Sequence, residues 1–238
     1  MRRKLTFVLS LFVLLLSLLH VRFNSVKVEA PNGYRVHNLD TGLNYTTIQA
    51  AIDANETLDG HTIFVEVGVY YESVFVSKNL TLIGENRDTT IIDGNGTGDV
   101  VQLGTNANVT NFTIRNGEYG VKIWSYSLTP LYRGNTVNNS KIIDNLYGAI
   151  SIRGCANNTI TNNIIANNTL FGIHLWHAGN DTIINNTVAN NRHGIDFYGN
   201  SNDNVLKNNN MTDNEYNFGL ILRDETRNFL VGTPSKPG

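Results

Sequence analysis

Between Asn157 and Ser201 the chain states nearly the same pattern twice, as NNTITNNIIANNTLFGIHLWHAG and then NDTIINNTVANNRHGIDFYGNS. Each copy holds several short runs in which apolar and polar residues alternate, and asparagine pairs or glycines separate them. Gly148, Gly172, Gly194 and Gly219 follow one another at steps of 24, 22 and 25 residues, each heading such a run. Strict alternation over a few residues is the mark of a half-buried strand, and a repeat in the low twenties made of such strands is the mark of a stacked β-solenoid. The asparagine doublets 162–163, 167–168, 185–186, 190–191 and 208–209 recur at fixed places in the repeat. They predict the corners between strands, because Asn tolerates the left-handed conformation and stacked side-chain amides can bond along the axis.

The same alternation extends towards the N-terminus. Thr62 to Val67, Val74 to Val76, Leu80 to Ile83, Thr90 to Ile92 and Val100 to Leu103 read as strands, with Gly68, Lys78-Asn79, Gly84-Glu85-Asn86 and Asp93-Gly94-Asn95-Gly96 as breaks. Ahead of them, IQAAIDAN changes period. Ile48, Ala51 and Ile52 fall on one helical face behind Thr46 or Thr47 as N-cap. A short helix here would cover the open end of the first coil. The predicted fold is therefore all-β: a single-stranded right-handed parallel β-helix of roughly seven coils over residues 62–231, with residues 31–61 as lead-in and capping helix. Right-handedness follows from the rule for parallel crossovers.

Two segments depart from the repeat. From Gly120 to Gly148 is 28 residues, and Ser125 to Arg133, with Pro130, forms the excess, a loop on one flank. Residues 232–238 form a tail without a capping pattern, which leaves room for a partner over the last coil. At the other end, Arg2, Arg3 and Lys4 precede an apolar run of 15 residues from Leu5 to Leu19. Residues 1–30 therefore read as an export signal, cleaved after Val28-Glu29-Ala30, or as a retained membrane anchor. Either way the body is extracytoplasmic, secreted or held at the cell surface, and the membrane is met only through this segment.

Composition narrows the chemistry. Lys and Arg number 18 against 20 Asp and Glu, or 15 against 20 without the three N-terminal cations. No basic stripe is present to meet nucleic acid. The single cysteine, Cys155, excludes an internal disulfide and lacks the partners of a nucleophile. Twelve N-x-[ST] triplets, from Asn44 to Asn210, suit an exported glycoprotein.

The block YTTIQAAIDAN, HTIFVEVGVYYESVFVSKNLTLIGE and TTIIDGNG resembles the cap and first coils of right-handed β-helix proteins of the pectin-lyase-like superfamily. NNTITNNIIANN and NNTVANNRHGIDFYGNS are similar to exported proteins with NosD-type repeats. The resemblance covers nearly everything after residue 40 and implies the fold. Pectin methylesterases of the superfamily act through aspartates, glutamines and an arginine in the middle coils, an arrangement that these coils do not match. The NosD likeness implies, by family name, a link to copper-site assembly.

Alternation assigns the chemistry to one sheet. In Gly172-Ile173-His174-Leu175-Trp176 the apolar pair faces the core, so His174 and Trp176 face out. Applied coil by coil, the rule gives two outward columns at about 4.8 Å per step. They are Lys122, Ser151, His174, Asp196 and Ile221, and Trp124, Arg153, Trp176, Tyr198 and Arg223. Sugar rings stack on Trp and Tyr, and hydroxyls or uronate carboxylates accept from Arg and Lys. Noncatalytic binding of a polysaccharide or surface glycan through Lys122, Trp124, Arg153, Trp176, Tyr198 and Arg223 is the leading expectation. A polysaccharide lyase with His174 and Asp196 as its base and orienting acid is the enzymatic alternative, and a structural adhesin or surface-layer protein a third. No cofactor is required. His174, His177 and His193 are the one set that could offer copper or zinc ligands, and no calcium-binding nonapeptide of Gly and Asp is present.

Overall fold

The computed structural model describes Gly33 and residues 35–125, 133–222 and 228–231. The leader 1–30, the loop residues Tyr126 to Tyr132, Arg223 and the tail 232–238 lie outside them. Every coil is a triangle of three strands. One coil carries Thr159–Thr161, Ile164–Ala166 and Phe171–Trp176, and the next repeats them as Thr182–Ile184, Thr187–Ala189 and His193–Gly199. Each strand pairs in parallel with its counterpart in the neighbouring coil. Three sheets thus run along the molecule, a first of ten strands and a second and third of seven each. The predicted parallel β-helix of about seven coils is the observed fold.

The sheets are held by one apolar residue per short strand. Val137, Ile160, Ile183 and Leu206 stack from the first sheet, and Ile114, Ile142, Ile165, Val188 and Met211 from the second, all fully buried. The longer third-sheet strands send in two each, such as Ile173 with Leu175 and Ile195 with Phe197. Burying one such side chain contributes about 1.5–3 kcal/mol. No strand is stable by itself, and the column supplies what the strand lacks.

The asparagine doublets divide the corner work between them. The first member takes the left-handed backbone, with φ of 57° at Asn162, 59° at Asn167, 58° at Asn185 and 54° at Asn190. The second member turns inward and forms a ladder. Asn163 receives the Ser140 N–H on its carbonyl oxygen and donates its amide to Asn186 Oδ1 at 3.0 Å, and Asn186 donates to Asn209 at 2.9 Å. Asn145, Asn168, Asn191 and Asn214 make the same chain at the next corner.

The helix Ile48–Asp53 caps the first coil as predicted, with Ile48, Ala51 and Ile52 fully buried. Thr47 is its N-cap and accepts the Ala50 N–H at 3.1 Å. Its ends are also clamped from the first coil. Glu72 accepts the Ile48 and Gln49 N–H groups, each at 3.0 Å, and Lys78 Nζ donates to the carbonyls of Ile52, Ala54 and Thr57 at 2.7–2.9 Å. Part of the lead-in is itself β-structure. Val36–Asn38 and Asn44–Tyr45 form a hairpin that adds two antiparallel strands to the first sheet. Gly68, expected as a break, instead opens the strand Gly68–Tyr71.

Candidate carbohydrate face on the third sheet

The third sheet carries the predicted columns in register for four coils. Lys122 pairs with Ser151, Ser151 with His174 and His174 with Asp196, while Trp124, Arg153, Trp176 and Tyr198 follow beside them. The last step differs. Asp196 pairs with Gly219 and Tyr198 with Ile221, so Ile221 continues the aromatic column and not the Lys122 column. By spacing, Gly219 reads as the counterpart of Gly194, but the strand aligns His193 with Tyr216 and Ile195 with Phe218. The repeat glycine is absent from that coil.

A third column was not read from the sequence. Tyr119, Gly148, Phe171, His193 and Tyr216 pair successively at the start of the same strands. They precede the residue at which the alternation was counted, and a local irregularity separates them from it by three residues instead of two. The face is therefore a polar column between two largely aromatic ones. Rings touch along and across them: Phe171 lies 4.4 Å from His174 and 5.4 Å from His193, His193 5.2 Å from Tyr216, and Trp176 4.9 Å from Tyr198.

This geometry corrects one expectation. The polar column faces away from the core, but its middle is not exposed: Ser151, His174 and Asp196 retain only 2%, 9% and 6% of their accessible surface. His174 is sandwiched, with Phe171 on one side and Trp176 stacked at 6.1 Å on the other. The part-exposed positions are Lys122, Trp124, Arg153, Trp176 and Tyr198. Arg153 lies 4.0 Å over the Trp176 ring and 5.4 Å from Trp124, and Lys122 Nζ lies 4.1 Å from the Trp124 ring. Trp124 Nε1 donates to Ser151 Oγ at 2.9 Å, and Lys122 pairs with Asp99 at 2.6 Å. Cation and ring fix each other, so the rings are presented in set orientations.

Asp196 gathers both neighbouring histidines. His174 Nε2 lies 3.7 Å from one of its oxygens and His193 Nδ1 3.9 Å from the other. Both ring nitrogens of His174 are buried without a hydrogen-bond partner among the described residues. Burial lowers the His174 pKa below its ordinary 6.5; Asp196 opposes the shift, and Arg153 and His193 add to it. The imidazole is neutral at pH 7 and able to accept a proton. His177 does not join this group: its backbone is left-handed, and Nδ1 accepts the Asn200 N–H at 3.2 Å. Cys155 is buried against the Ile123 and Arg153 carbonyls, its pKa pushed up to about 12 by desolvation, and is no nucleophile.

Away from this face, a concavity of about 800 Å³ lies at the corner between the second and third sheets, lined by Tyr71, Asp93, Arg115, Asn116, Asp144 and Leu146 among others. Asp93 is fully engaged there, receiving Arg115 Nε at 2.8 Å, Asn116 Nδ2 at 2.9 Å and the Asn95 N–H at 3.0 Å.

The family model described as periplasmic copper-binding protein, NosD, matches residues 24–232. The chain belongs to the NosD family. A cell surface glycoprotein of Methanothermus fervidus is 36% identical over 98 aligned positions, in a match that covers 34% of this chain and 16% of that protein. Among solved structures, the NosD chain resembles pectin methylesterase from carrot, with a TM-score of 0.56 and 16% identity over 79% of this chain and 66% of that one. The catalytic unit of a thermostable GH87 α-1,3-glucanase from Streptomyces thermodiastaticus gives 0.54 and 18%, over 77% and 43%. These likenesses show a shared β-helix fold alone. NosD membership agrees with the extracytoplasmic placement predicted from the N-terminal run.

The family description names copper, and the described donors do not suit it. Met211 is fully buried in the core, Cys155 is a buried neutral thiol and His177 is bonded elsewhere. Among the described residues no three of His, Cys, Asp and Glu are arranged to hold a metal ion.

Proposed function

We propose that this NosD-family chain is a noncatalytic binder of polysaccharide or cell-surface glycan, and that the third sheet is its contact face. The supporting observation is the pair of largely aromatic columns that run side by side from the strand of Trp124 to that of Tyr198, with Arg153 and Lys122 locked among the rings. Saccharide rings present C–H faces to Trp and Tyr, and their hydroxyls need donors held at fixed positions. A face whose rings are already ordered loses little conformational entropy on binding. The cell-surface name of the glycoprotein relative favours the same setting. Substituting Trp176 by Ala, alone and with Tyr198→Ala, tests this on a panel of neutral and acidic glycans. Loss of binding of at least tenfold supports the reading; a wild-type protein that retains no glycan sinks it and leaves a structural surface role.

A second reading is a polysaccharide lyase, favoured by the neutral, unbonded His174 imidazole beside Asp196. Its signature is ultraviolet absorbance from unsaturated uronates on incubation with pectate or alginate, abolished by His174→Ala. Glycan binding without such absorbance separates the first reading from the second.

A further inference from the structure

The third ladder, at the corner from the third sheet back to the first, has the rungs Asn135, Asn158, Asp181, Asn204 and Asn228. Each asparagine rung that continues the ladder accepts on its oxygen and donates from its amide to the next. Asn135 Nδ2 donates to Asn158 Oδ1 at 3.1 Å and Asn204 Nδ2 to Asn228 Oδ1 at 3.0 Å. Asp181 performs the accepting half. Its Oδ1 takes the Asn158 N–H at 2.7 Å and the Asn158 amide at 2.9 Å, and its own N–H bonds to Asn204 Oδ1 at 2.9 Å.

The donating half falls to Oδ2, which is buried and has no partner among the described residues. In equivalent rungs that position holds an amide nitrogen aimed at two acceptors. Asn163 and Asn204 bond there to the carbonyls of Val137 and Ala178, 26 residues earlier, and to the oxygen of the next rung. For Asp181 the corresponding acceptors are the Cys155 carbonyl and Asn204 Oδ1. A carboxylate oxygen would meet two acceptors, whereas a carboxylic acid O–H would meet a partner.

We propose that Asp181 is a neutral acid in the folded protein, that its Oδ2–H replaces the missing amide, and that release of this proton to solvent loosens the junction between the coils of Asn158 and Asn204. Burial pushes Asp181 up to about 7, against the pull of the two Asn158 bonds. The titratable neighbour it acts on among the described residues is Cys155, and that thiol is neutral. Among the described residues no cation is paired with Asp181 to hold it ionised. Because the folded pKa is raised above the ordinary 3.8, the contribution to stability is full below that value. It declines as pH rises towards about 7 and stays lost above it.

The test compares the wild type with Asp181→Asn, which installs a permanent amide, by thermal unfolding from pH 4 to 9. The gap in midpoint should be small at pH 4 and widen to the order of 10 °C by pH 8 in favour of the variant. Carbon-13 titration of the wild-type Asp181 carboxyl should give a midpoint near 7. A gap independent of pH, or a carboxyl titrating near 4, overturns the proposal. Should the variant not fold, the wild-type titration decides alone.

Discussion

Asp196 Oδ1 fills the space that a Cβ on Gly219 would need, one coil further along the third sheet. The glycine is therefore part of the site. Gly219→Ala should press the Asp196 carboxylate back towards the coil of His174 and destabilise the protein by about 1–3 kcal/mol through overpacking. Because Asp196 is the group that raises the His174 pKa, its closer approach should bring that pKa back up. Imidazole titration by NMR in the variant reads this directly, and an unchanged midpoint would refute the coupling.

The capping helix has six residues, too few to persist without outside support. Glu72→Gln and Lys78→Met should each cost about 1.5–3 kcal/mol, the range of hydrogen bonds to charged groups. Helix amides from Ala50 to Ala54 should lose hydrogen-exchange protection in both variants. Coils beyond Ile92 should keep theirs.

The two asparagines of a corner should respond differently. Asn186→Ala removes bonds to Asn163, Asn209 and the Ile160 carbonyl and should cost about 3 kcal/mol or more, since the orphaned groups stay buried. Its neighbour Asn185 has φ of 58°, and Asn185→Ala should cost about 1–2 kcal/mol. Asn185→Gly should be near neutral. Denaturant midpoints for the three variants provide the check.

Stability should also carry two opposed pH slopes. His174 has a lowered folded pKa, so below 6.5 the unfolded chain takes up a proton that the folded chain refuses, and stability falls as pH falls. Asp181 acts with the reverse sign over an overlapping range. A His174→Phe variant, which keeps a ring between Phe171 and Trp176, should flatten the acid limb. Subtracting the stability curve of each variant from that of the wild type separates the contributions.

The architecture was legible because each strand, corner and core position is restated every coil. Alternation identified the outward pairs, and the Asn doublets marked the corners. What the sequence concealed depends on neighbours in space. His174 alternates as an exposed residue does, and it is covered because Phe171 and Trp176 stand on either side of it. His193 lies three residues from Asp196, outside the counted pattern, yet its ring turns back to the carboxylate. Gly219 imitated the repeat glycine while sitting two positions later, which shifted Ile221 out of its column. Asp181 is one letter in a run of asparagines, and its missing donor shows only once the ladder has been traced.

Because the ladder bonds pass from one coil to the next with a separation of 23 residues, adding or deleting a whole coil between Thr159 and Thr212 would leave every corner satisfied and every column in phase. Natural variation in such a chain can therefore change how far it reaches in steps of about 4.8 Å while its cross-section stays constant. Selection on reach and selection on the surface chemistry of individual coils can then proceed almost independently.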